Sequence, residues 1–247
     1  MRPRYLALEV LRQLRNTRNL VFTFALPVVM LLIFGSVYGS GGQVDPSTRL
    51  PWLAVTTVQM AGYGAMMSAL SQAFTIVNER SIGWNRQLRI TPLSAAGYLV
   101  TKIAASLAVA AISIALVFAV SRLIFHTPLP AAGWLLAGLG LWLGVVPFAL
   151  IAIGIGQYAK PEFAQPVFMA TFFGLSILGG LWVPLQILPG WVSDVAQVVP
   201  SYWLNRLGQM GAIGSGDALA PALVLMVWSL VLGALIVWRY RRDAARS

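Results

Sequence analysis

Asn78-Glu79-Arg80-Ser81-Ile82-Gly83-Trp84-Asn85-Arg86-Gln87-Leu88-Arg89-Ile90-Thr91-Pro92-Leu93-Ser94 is the long polar interruption of an otherwise apolar chain. Runs long enough to cross a bilayer flank it on both sides. It carries three arginines and one glutamate. Pro92 has no N–H and restricts Thr91, so a helix here ends before it. The stretch predicts a short helix of roughly three turns at the membrane surface, at ~3.6 residues per turn. Trp84 and Leu88 would share one face, four residues apart. Trp84 suits the water–lipid boundary, with its ring buried and its N–H wet. Glu79 and the arginines are expected to face water or another protein. A plainer reading is an ordinary cytoplasmic loop whose arginines only set orientation.

Working outward, 58% of the 247 residues are hydrophobic and the mean hydropathy is +0.78. That composition indicates membrane spans rather than a water-soluble domain. Six are expected, over 20–38, 52–77, 96–122, 133–157, 166–183 and 219–238. Residues 1–19 carry five arginines, with Leu6, Val10, Leu11 and Leu14 at helical spacing. This predicts an amphipathic helix in the interface. No cleavable leader is evident. Pro27 falls inside the first span, which tolerates it with a kink. Lys102, near the cytoplasmic start of the third span, is read as snorkelling to the interface, with no transport role. Residues 184–204 are apolar but broken by Pro184, Pro189, Gly190 and Pro200. They predict two short re-entrant helices, followed by a polar loop over 206–218. The fold class is therefore an all-α polytopic membrane protein built as one transmembrane domain.

The net charge of +10 does not point to nucleic acid, because the cations sit between apolar runs. Of the 17 lysines and arginines, 14 fall on the side holding both ends and the 78–94 stretch. That side is expected to be cytoplasmic. There is no cysteine, and His126 is the sole histidine, so thiolate and multi-histidine metal sites are excluded. There is no G-x-x-x-x-G-K-[ST] phosphate loop. All seven carboxylates lie outside the middles of the spans, which argues against ion-coupled secondary transport. Gly35-Ser36 and Gly214-Ser215-Gly216 are weak serine contexts without a partnering histidine. No catalytic residue is assigned, and the chain reads as a passageway without a motor.

At this point the sequence resembles the permease subunit of ABC-2 type ABC transporters, the class that includes bacterial drug and antibiotic exporters. The resemblance covers nearly the whole chain. It rests first on Glu79-Arg80, Gly83, Leu88 and Thr91-Pro92-Leu93. It rests second on Gly179-Gly180, Pro184, Leu188-Pro189, Trp191, Pro200 and Tyr202. Trp84-Asn85 departs from the small or aliphatic pair of many members.

The resemblance implies that 79–90 is a coupling helix docking into a separate ATP-hydrolysing subunit. Glu79, Arg80, Gly83, Trp84, Arg86, Leu88 and Arg89 would serve that contact. ATP and Mg2+ would be bound by that partner, and no cofactor by this chain. Two permeases, identical or paralogous, would assemble with two ATPases in a bacterial inner membrane, with both termini cytoplasmic. The first, second and fifth spans would line the path. Candidate cargo contacts are Gln59, Tyr63, Met66 and Met67 with Phe168, Met169, Phe172 and Phe173, a mostly apolar wall suited to an amphipathic drug, antibiotic or lipid. The same residues could instead pack helix against helix. The competing functional reading is a membrane scaffold or sensor that recruits a cytoplasmic partner.

Overall fold

The computed structural model describes residues 3–16, 21–38, 44–46, 48–83, 95–182, 185, 189–214 and 218–244. Helices make up nearly all of it. In chain order they are α1 (Pro3–Leu14), a π-helical turn (Val21–Ala25) running into α2 (Leu26–Tyr38), α3 (Trp52–Leu70), α4 (Gln72–Ser81) and α5 (Ala95–Ile124). They continue as α6 (Ala131–Gly144), α7 (Val146–Tyr158), α8 (Pro161–Leu178), α9 (Gly190–Ala196), α10 (Pro200–Ile213) and α11 (Leu219–Ala244). Among the described residues an isolated bridge, Val44 to Pro51, is the one β feature.

Among the described residues three helical stretches are long and apolar enough to cross a bilayer: Gly97–Ile124, Ala131–Tyr158 and Leu219–Arg239. Val21–Val37 is a shorter apolar helix. The chain is an all-α polytopic membrane protein. Its outer helices present apolar side chains outward, as at Leu123, Leu135 and Leu230. Such surfaces are stable where lipid covers them.

The pillar of the bundle is α3. Every residue from Leu53 to Leu70 is buried, enclosed by α2, α5, α7 and α10. A helix buried all round need not be uniformly apolar if neighbours satisfy its polar groups. Thr57 shares a 2.7 Å hydrogen bond with Ser121 of α5, and Gln59 donates to the Gly180 carbonyl at 2.9 Å.

Close helix approach comes from small residues. On α6, Gly133, Ala137, Gly140 and Gly144 recur at four, three and four residues. They face Leu204, Leu207, Gly208, Gly211 and Ala212 of α10. A Cβ on Gly211 would lie 2.6 Å from the Ala137 nitrogen, and one on Gly133 2.8 Å from the Ala212 carbonyl oxygen. Backbones in such contact gain dispersion and interhelical packing where no hydrophobic force separates helix from lipid.

Pro27 leaves the Thr23 carbonyl, four residues back, without its helical donor. The Ser113 hydroxyl of α5 donates to that carbonyl at 3.1 Å. The expected accommodation of Pro27 in the first span is thus made by a neighbouring serine.

Several expected boundaries are corrected. The second span, expected over 52–77, is two helices meeting at Ser71, and the second of them runs on to Ser81. Glu79 and Arg80 therefore occupy the last turn of that helix, not the start of a separate surface helix. The helix ends where Ile82 and Gly83 donate back to Asn78 and Arg80, with Gly83 left-handed at φ 74°. The fourth span breaks at Val145, because Pro147 cannot donate into the preceding turn. The fifth helix starts at Pro161 rather than 166, since proline is favourable in a first turn. The polar loop expected over 206–218 is helix through Ile213. The glycines at 208 and 211 serve packing rather than turning, and the helix stops at left-handed Gly214. Where two short helices are expected over 184–204, α9 is short but α10 runs on to Ile213.

Candidate functional site

Around the end of α4, three elements far apart in sequence converge on four charges. Lys102 of α5 donates to Glu9 of α1 at 2.5 Å and to Glu79 of α4 at 2.8 Å. Arg12 of α1 donates to the same Glu79 oxygen at 2.7 Å. The Tyr98 hydroxyl donates to the other Glu79 oxygen at 2.8 Å. Two cations and two carboxylates thus balance. Lys102 is 1% exposed, Glu79 1% and Glu9 4%. Burying charge is costly unless each is paired and hydrogen-bonded, and here each is. The ammonium also stands 5.4 Å from the Tyr98 ring centroid. Beside the cluster, burial first and then the Glu9 and Glu79 carboxylates push the Tyr5 phenol up to about 12.

This placement corrects two expectations. Glu79 does not face water; it is the acceptor at the centre of a buried network. Lys102 does not snorkel, because two carboxylates meet it at its own depth. The face of α1 that turns inward carries Glu9 and Gln13, while Leu8 and Leu11 are exposed.

Arg80, expected at the surface, reaches across to α7 and donates to the Gln157 and Ala159 carbonyls. A guanidinium fork suits two orphan carbonyls at a helix C-terminus. The cluster and the Arg80 clamp fix the direction in which the chain leaves α4 at Gly83. Trp84, Arg86, Leu88 and Arg89, with most of the expected 79–90 helix, lie outside the described residues.

Below this network a cavity of about 760 Å³ opens between α1, the Val21–Ala25 turn, α4 and α8. Of the expected cargo contacts, Met67, Phe168 and Met169 line it. The others are placed differently. Tyr63, Met66 and Phe172 are buried within the chain. Tyr63 and Phe172 belong to an aromatic ladder: Phe74 to Phe168 at 4.6 Å between centroids, Phe168 to Phe172 at 5.8 Å, Phe172 to Tyr63 at 5.1 Å. Trp182 closes it, 5.7 Å from Tyr63 and 5.3 Å from the partly exposed Phe173.

Gln59 lines a second, smaller cavity of about 250 Å³ near the start of α3. There Asn205 donates to the Gly179 and Gly180 carbonyls at 3.2 Å, and Gln209 donates to Asn205. With Gln59 these amides hold the end of α8, where Gly180 is left-handed at φ 65°.

Sequence reading missed Glu9, Arg12, Tyr98 and Lys102 as a unit. One signal was available: Tyr5, Glu9 and Gln13 recur every four residues, a polar stripe inside a helix read as apolar-faced. No group of histidine, cysteine or carboxylate side chains able to hold a metal occurs among the described residues.

A family model described as ABC-2 type transporter matches residues 5–210. The chain is also 26% identical over 232 residues to "Putative transport permease YvfS" of Bacillus subtilis (strain 168), covering 94% of this chain and 85% of that protein.

Proposed function

The chain belongs to the ABC-2 type transporter family, and from that premise we propose that it is the membrane subunit of an ATP-driven exporter, powered by a separate ATPase. The cargo is hydrophobic or amphipathic, of the drug, antibiotic or lipid class. On this reading the chain has six spans and both termini on the cytoplasmic face of a bacterial inner membrane, in keeping with the excess of lysine and arginine on that side. A second permease, identical or paralogous, completes the path. ATP and Mg2+ bind the partner, and this chain performs no catalysis of its own.

The observation that carries this reading is the Lys102–Glu79 cluster. It ties α1, α4 and α5 together at the end of α4, just ahead of residue 84 in the chain. A push on that stretch moves three helices as one body, as a coupling element requires. ATP drives transport only if its binding favours one arrangement of the spans over the other. Trp84 and Leu88 anchor the coupling helix on the ATPase, and Arg86 and Arg89 add polar contacts. Truncating such an anchor costs about 2 kcal/mol or more.

The test is ATP hydrolysis by the assembled complex in lipid vesicles, with wild-type permease and with Trp84→Ala. The expected result is that Trp84→Ala inserts normally but loses its hold on the ATPase, and with it the permease-dependent change in hydrolysis. Equal assembly and equal hydrolysis would remove this helix from the coupling role. A partner that binds without any ATPase activity would favour a scaffold instead.

A further inference from the structure

We propose that the 760 Å³ cavity beneath the charge cluster is a binding site for one anionic phospholipid of the inner leaflet. The inference rests on the transport reading and deepens it, because the candidate cargo contacts Met67, Phe168 and Met169 line this cavity; lipid retention is measured apart from ATPase engagement, so either can fail alone.

Phe22, Phe74, Phe168, Met67 and Met169 make the apolar part of the lining, interspersed with the polar groups of Ser71, Thr75, Asn78 and Gln165. At the α1 rim stand Arg12 and Arg15, and among the described lining residues none is a carboxylate. Arg12 already serves Glu79 through one nitrogen. Arg15 makes no ion pair among the described residues and is exposed. Gln13 lies between them in the lining, is 5% exposed, and neither of its amide atoms has a hydrogen-bond partner. A buried amide without a partner is costly, and a ligand oxygen arriving there would remove the cost.

An anionic head group answers the two arginines and the Gln13 amide together. The acyl chains then lie along the phenylalanines. The volume falls within the range of ligand sites, about 300–1,000 Å³. The site sits at the amphipathic helix α1, the depth at which head groups lie.

Native mass spectrometry of the detergent-purified full chain tests this by titration with phosphatidylglycerol, phosphatidylcholine and glycerol 3-phosphate. One phosphatidylglycerol should be retained in preference to phosphatidylcholine, and glycerol 3-phosphate should not bind. Arg15→Gln should weaken phosphatidylglycerol binding about fivefold, leaving phosphatidylcholine unchanged, and Arg15→Lys should keep most of the affinity. Arg15 is exposed, so neither variant disturbs the fold. Equal binding of the two lipids, an unaltered titration in Arg15→Gln, or a dimer that excludes the lipid would overturn the proposal. Binding of glycerol 3-phosphate as tight as that of the lipid would make it an anion site and overturn it as well.

Discussion

Lys102 and Glu79 lie 2.8 Å apart inside the bundle, although one belongs to α5 and the other to the last turn of α4. Their pairing joins α1, α4 and α5 in a single electrostatic unit, because Glu9 and Arg12 bind the same two groups.

Removing Lys102 strands two buried carboxylates. Lys102→Met should cost about 3–5 kcal/mol of stability, as loss of one partner of a buried pair does. Adding Glu9→Gln restores the charge balance between Arg12 and Glu79. The double variant should therefore be more stable than the sum of the single losses, by roughly 0.5–3 kcal/mol. Denaturation in detergent measures both. Strict additivity would show that the four groups do not act together.

Arg80 serves two carbonyls of α7 at once. Arg80→Lys keeps the charge but not the fork. It should cost about 1.5–3 kcal/mol, the worth of hydrogen bonds to a charged donor. Proteolysis after Tyr158 should become faster in the variant, and an unaltered cleavage rate would argue against the clamp.

Glycines in the bundle separate into two kinds. Gly211→Ala drives a Cβ to 2.6 Å from the Ala137 nitrogen, which backbone cannot yield cheaply. It should destabilise by at least ~1–3 kcal/mol. Gly154 has nothing within 4 Å of the same position. Gly154→Ala should be neutral or stabilising by up to ~1 kcal/mol, through helix propensity. Thermal unfolding of the two variants side by side measures the contrast.

Ser113 and Pro27 form a compensating pair through the Thr23 carbonyl. Ser113→Ala alone should cost about 1–3 kcal/mol, because that carbonyl is left unsatisfied. In a Pro27→Ala background the helix supplies its own donor, and the cost of Ser113→Ala should shrink towards zero. A cost independent of Pro27 would sever the two.

The helical membrane class was legible because sustained apolar runs have few other uses. Pro27 inside a span and the helical breaks after Gly179-Gly180 were legible from proline and glycine placement, whereas the length of α10 was not. Charge partners were not. Lys102 near a span end has the same local sequence whether it snorkels or pairs, and its partners lie 93 and 23 residues away. Glu79 beside arginines reads as surface until α1 is folded against it. Gly208 and Gly211 suggested a loop because single-sequence reading prices glycine by backbone freedom, whereas here it is needed for contact with α6. Tyr63, Met66 and Phe172 read alike as path lining or as packing, and the single chain buries all three.

The central claim is that a separate ATPase engages this chain. Its most direct test is to purify the tagged chain from native membranes in mild detergent and identify stoichiometric partners by mass spectrometry. The account predicts an ATPase subunit in equal amount, lost when Trp84 is changed to alanine. A chain recovered alone in several mild detergents, or with partners that do not hydrolyse ATP, would contradict it.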